Sequence, residues 1–125
     1  IPGEEQMDNL NHLPYMEWMY WIAELSKRRV GVHLMRTHAA GTFALNCAYL
    51  GIPCIGYNDI NTQKDLFPEL SVERGDVFSA RQLASRLQTD KEFYDMNVEV
   101  SKMIYEECYT EKAFLQKWRK IVEKI

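Results

Sequence analysis

Apolar and polar positions fall in blocks along the chain, and each block predicts an element. Residues 1–11 are polar, carry Glu4, Glu5 and Asp8 beside Pro2 and Gly3, and read as loop. Pro14 suits a first helical turn. Tyr15, Trp18, Met19, Ile22 and Leu25 then recur at helical spacing, which predicts a helix to about residue 28. Tyr20, Trp21 and Ala23 widen its apolar face, so this helix is expected to be largely covered. Residues 30–35 are a short run rich in β-formers, interrupted by His33, and predict a buried strand. A helix starts at Gly41 or Thr42 and ends at Leu50, with Phe43, Cys47 and Leu50 on one face. Gly51 stands where a C-cap needs positive φ. Residues 53–57 predict a second strand, 58–67 a polar loop and 70–72 a short third strand. Ser79-Ala80-Arg81-Gln82 reads as a capping box for a helix over 80–87, and Thr89-Asp90-Lys91-Glu92 as another, for a helix ending near Cys108. Thr110 caps a last helix with Phe114, Trp118, Ile121 and Val122 on its apolar side. Strands followed by helices at this spacing indicate an α/β fold: one domain over 1–125, with a short parallel sheet flanked by helices and a helical segment over 89–125.

The composition fits this picture: 46% apolar and 26% charged residues in 125 positions are ordinary for one globular domain. The net charge of −3 speaks against a nucleic-acid groove, which needs a basic face. The Lys27-Arg28-Arg29 trio follows a helical pattern and complements a helix C-terminus. The longest apolar runs fall far short of the ~20 residues that span a bilayer. The first residues given do not read as a signal peptide, and none is expected. Cys47, Cys54 and Cys108 have no metal-type spacing and read as reduced, buried thiols of a cytoplasmic protein. His12, His33 and His38 likewise lack ligand spacing, so no metal is expected. The chain starts at Ile1 with no strand before its first helix, which reads as a piece of a longer protein.

Two loops carry the candidate chemistry. The first is Arg36-Thr37-His38-Ala39-Ala40-Gly41-Thr42, between a strand and a helix N-terminus. Small residues let a ligand approach the backbone, Thr37 and Thr42 offer hydroxyls, and Arg36 offers a fork of donors for phosphate. Free N–H groups and the helix dipole favour an anion there. A tight turn without a ligand is the competing reading. The second loop, Tyr57-Asn58-Asp59-Ile60-Asn61-Thr62-Gln63, is dense in groups that hydrogen-bond hydroxyls. Neighbouring parallel strands would place both loops on one crevice; a solvated surface loop is its alternative. The chain has no G-x-G-x-x-G and no Walker loop.

The run Ala40-Gly41-Thr42-Phe43-Ala44-Leu45-Asn46-Cys47-Ala48-Tyr49-Leu50-Gly51-Ile52-Pro53-Cys54-Ile55-Gly56 resembles the donor-binding motif of glycosyltransferases of the GT-B architecture. There a small-residue loop leads to a helix, then Gly-x-Pro and an apolar strand. The resemblance extends over most of the chain and is specific over residues 30–57. It implies a partial Rossmann-like domain, the C-terminal one of two, that binds a nucleotide-diphosphate sugar as donor substrate without a further cofactor. It implies donor contacts from Arg36, Thr37, His38, Ala40, Gly41, Thr42, Asn46, Asn58 and Gln63, with Gly41 and Thr42 at the phosphates, Asn46 at the ribose, and His38, Asn58 and Gln63 toward the sugar.

Many retaining members of that family carry two glutamates eight positions apart; the matching positions here are His38 and Asn46. An acceptor would sit on an N-terminal domain that this chain lacks. The resemblance thus implies a glycosyltransferase parent, with no turnover by this chain alone. The alternatives are a non-catalytic Rossmann-like binding or assembly module, or part of a nucleotide-sugar 2-epimerase. An uncovered sheet edge and aromatic helix predict self-association as a homo-oligomer.

Overall fold

The computed structural model of the chain describes residues 13–35 and 41–124. The polar stretch expected over 1–11 lies outside the described residues. The order is α1 (Trp18–Leu25), β1 (Gly31–His33), α2 (Thr42–Leu50), β2 (Cys54–Tyr57), α3 (Asn61–Leu66), a 3-10 turn (Pro68–Leu70), β3 (Ser71–Val72), α4 (Val77–Thr89), α5 (Lys91–Cys108) and α6 (Glu111–Glu123). This is an α/β fold. Its parallel sheet has the order β1-β2-β3, with Val32 opposite Ile55 and Gly56 opposite Ser71.

β2 is the central strand and is buried at all four residues, as expected of a parallel strand covered on both faces. Hydrogen bonds beyond the strands extend the ladder: Gly31 N–H donates to Pro53 O at 2.8 Å and Asn58 N–H to Val72 O at 2.8 Å. α2 packs on β1 and β2, α4 on β2 and β3, and α5 against α2, α3 and α4. α2 presents small residues to the core, with Ala44, Cys47 and Ala48 buried. The approach is close: a Cβ at Gly31 would lie 2.7 Å from Cys47 Sγ and 3.0 Å from Phe43 Cε1. Gly51 ends α2 at φ 73°, in the left-handed conformation its position predicts. Ile55, Leu66, Phe67, Leu70 and Leu87 are fully enclosed at the centre.

Several expectations are corrected. The loop expected over 58–67 holds α3, whose inward side chains include polar Gln63. α4 starts earlier than expected, with Asp76 rather than Ser79 as its cap: the Asp76 carboxylate accepts the Ser79 N–H at 3.0 Å and its hydroxyl at 2.7 Å. The same bonds hold Asp76 below the usual carboxylate range. Asp90, not Thr89, caps α5 by accepting Phe93 N–H at 3.1 Å. Thr110 caps α6 as expected.

The first helix is shorter than its aromatic run, and Tyr15, Trp18, Met19 and Tyr20 are exposed rather than covered. Lys27 and Arg28 pair with Glu24 in its last turn, while Arg29 stacks on the Tyr94 ring. Cys47 and Cys54 are buried free thiols; Cys108 is free but exposed, against expectation. The neighbouring Cys47 thiol, with burial, pushes Cys54 well above the usual thiol range. Among the described residues no helix is long and apolar enough to cross a membrane.

Candidate functional site

The segments that leave the carboxyl ends of the three strands are linked through one side chain. Arg74, just past β3, makes a two-point bond to Asp59, past β2, with Nε to Oδ2 at 2.6 Å and Nη2 to Oδ1 at 3.0 Å. It also donates from Nη1 to Met35 O, past β1, at 2.8 Å and lies 4.6 Å from the Tyr57 ring centroid. One guanidinium thus ties together the segments leaving all three strands. Arg–carboxylate forks are the more specific kind of ion pair. Asn58 is half-buried and donates from Nδ2 to Glu73 Oε1 at 3.4 Å.

Gly41 opens α2 in the left-handed region, at φ 85°, with no side-chain cap on the helix. Its carbonyl accepts the Thr62 hydroxyl at 2.8 Å and the Leu45 N–H at 3.4 Å. The N-termini of α2 and α3 are therefore pinned together, so parts of the two predicted loops are adjacent. Gly41 is buried against α3, Thr42 is exposed, and Asn46 is half-buried on the second turn of α2. Arg36, Thr37, His38 and Ala40 lie outside the described residues.

Gln63 does not face this end of the sheet. It is 2% exposed, and its Nε2 donates to Cys54 O at 2.8 Å and Ser71 Oγ at 3.4 Å. Its amide spans from α3 to the central strand, which corrects its expected place toward a sugar. A cavity of about 620 Å³ lies beside β3 and α4, lined by Asn58, Ser71, Glu73, Asp76 and Arg86 among others. Of the candidate residues Asn58 reaches it. Asp59 and Thr62 belong to the second predicted loop without having been singled out from it, and Arg74 is the organising residue that sequence reasoning missed. The legible signal for Arg74 is Arg74-Gly75-Asp76, which marks a turn after β3 with Gly75 at φ 89°.

His33, on β1, is half-buried with its ring 5.3 Å from that of Phe43, and burial lowers its pKa below the usual histidine value. The fold therefore favours neutral imidazole. The resulting stability is present above the unfolded pKa, near 6.5, and is lost as pH falls through the lower folded value. A urea midpoint followed from pH 7 to pH 5 should fall more steeply for the wild type than for His33→Gln. Identical slopes would show that His33 titrates as in the unfolded chain.

Among the described residues no cluster of His, Cys, Asp and Glu is placed to hold a metal ion. No protein-family model, curated protein or solved structure matches the chain.

Proposed function

We propose that this chain is the donor-binding, Rossmann-like part of a GT-B glycosyltransferase, which transfers a sugar from a nucleotide-diphosphate sugar to an acceptor hydroxyl. The observation that carries the reading is the start of α2. It follows β1 at the carboxyl edge of a parallel sheet, opens on a left-handed glycine and has no side-chain cap. The first-turn N–H groups of such a helix favour an anion, and Thr42 is exposed beside them. In sugar transfer, charge builds on the departing diphosphate, and helix-end N–H groups stabilise it as it forms. Asn46, one turn further along α2, offers both a donor and an acceptor to ribose hydroxyls.

The test is calorimetry of the chain, and of the longer gene product, with UDP, GDP, ADP and CMP. One diphosphate should bind, and Asn46→Ala should weaken it about five- to tenfold, the worth of one hydrogen bond of ~1 kcal/mol. Binding unaffected by Asn46→Ala, or none by either protein, overturns the reading. A binding module without turnover is the second reading. It is favoured by the neutral amide at Asn46 and by the burial of Gln63. Nucleotide binding by a longer product that cleaves no donor would select it.

A further inference from the structure

Thr110 starts α6 by accepting Ala113 N–H at 3.1 Å, and Ala113 is the helix's buried residue, packed where α6 meets α5. From Phe114 to Lys124 every residue is exposed. The helix thus leaves the domain after its first turn. A helix of this length is marginal in water on its own, so its apolar side needs a cover.

The arrangement of side chains around α6 indicates what covers it. At 3.6 residues per turn, Phe114, Leu115, Trp118, Ile121 and Val122 occupy one arc of about 120°. Phe114 is 63% and Trp118 56% exposed. Ala113 lies close to the opposite side, so the arc faces away from the domain. Lys117 and Lys124 border it on one side and Lys112 and Arg119 on the other, with Lys120 behind. Glu111 sits at the domain end of the arc, and Glu123 lies on the polar side. The chain as a whole carries −3, so α6 is a cationic helix against an acidic body.

Long cationic side chains bordering a Trp- and Phe-bearing arc suit an interface between apolar chains and anionic headgroups. The stems cover apolar surface while the charged ends reach phosphate. A second copy docked face to face on the same arc would set one cationic border against another, like charge against like. We infer that α6 docks flat on an anionic membrane surface, with Phe114, Trp118 and Ile121 entering the headgroup layer. The inference does not rest on the donor-site reading.

The test is co-sedimentation of the full chain with vesicles of phosphatidylcholine alone and of phosphatidylcholine with 30% phosphatidylserine. Anionic vesicles should bind at least tenfold more strongly, and 0.3 M salt should largely remove the difference. Lys117→Glu/Lys124→Glu should lower binding to the anionic vesicles about tenfold or more. Phe114→Ser/Trp118→Ser should lower it as far while leaving the unfolding midpoint unchanged, since both side chains are exposed. Equal binding to the two vesicles, binding retained by both variants, or none at all would overturn the inference. So would light scattering that shows a vesicle-free dimer broken by Phe114→Ser/Trp118→Ser.

Discussion

Gln63→Glu should be among the most destabilising single changes in this chain at neutral pH, and acid should restore much of the loss. The Gln63 amide is enclosed between α3 and β2 and donates to Cys54 O at 2.8 Å. Its neighbour Ser71 closes a small network: its one hydroxyl proton goes to Phe67 O at 2.7 Å, with Gln63 O 3.2 Å from the same oxygen. The side chain lies flat on Gly56, where a Cβ would come within 2.6 Å of Gln63 Oε1. A carboxylate there would put negative charge against a carbonyl oxygen, without solvent.

Loss of the donor together with this repulsion should cost about 3–5 kcal/mol at pH 7. That is a large share of the 5–15 kcal/mol typical of a domain. Once protonated, the introduced carboxyl can donate to Cys54 O in place of the amide. Burial raises the folded pKa of the variant above the ordinary ~4.3 of glutamate. The stabilising protonated form is therefore fully present below the unfolded pKa and is lost as pH rises toward the folded value. Urea unfolding at pH 4.5 and 7.5 checks this: Gln63→Glu should approach the wild type at the lower pH, while Gln63→Leu should show the same deficit at both. A pH-independent deficit for Gln63→Glu would mean that solvent reaches the site.

Gln63 also shows why part of the fold was hidden in the sequence. Residues 63, 66 and 67 face inward as Gln, Leu and Phe, a helical spacing whose first member is polar. A pattern judged by hydrophobicity misses such a turn, so α3 reads as loop. The β1–α2–β2 unit was legible because its signals agree: two apolar runs, small residues between them, and Gly51 at φ 73°. The caps of α4 and α5 slipped by one to three residues because Asp76 and Ser79, or Thr89 and Asp90, are all residue types that cap helices and stand close together. Backbone geometry settles that choice in favour of Asp76 and Asp90. Large apolar residues misled in α1: Trp18, Met19 and Tyr20 look like core in sequence, yet each is more than 60% exposed.

The candidate site was legible in outline only. Gly41 and Thr42 stand at the N-terminus of α2 as their pattern implies. The pairings that hold this end of the sheet together join residues far apart in sequence. Thr62 is 21 positions from Gly41, and Arg74 is 39 positions from Met35 and 15 from Asp59. Such pairs depend on how parallel strands bring their carboxyl ends together, which periodicity does not encode.

Gly41→Ala should cost about 3–4 kcal/mol, and Thr62 should share in that cost. Alanine at φ 85° carries the left-handed penalty, on the order of 1–2 kcal/mol. Its Cβ would also overlap Thr62 Oγ1 and lie 3.1 Å from Ile60 Cγ2. The Thr62 hydroxyl, bonded to Gly41 O, has little freedom to swing aside. Thr62→Ala alone removes that bond and should cost about 1 kcal/mol. With the hydroxyl gone, the nearest atom of residue 62 to the added methyl is its Cβ, 3.2 Å away, a far milder contact. The double variant should therefore be at least about 1 kcal/mol more stable than the sum of the two single effects, a coupling expected only of residues in contact. Urea unfolding of the four proteins measures it. Strict additivity would separate the starts of α2 and α3, and with them the two halves of the proposed donor site.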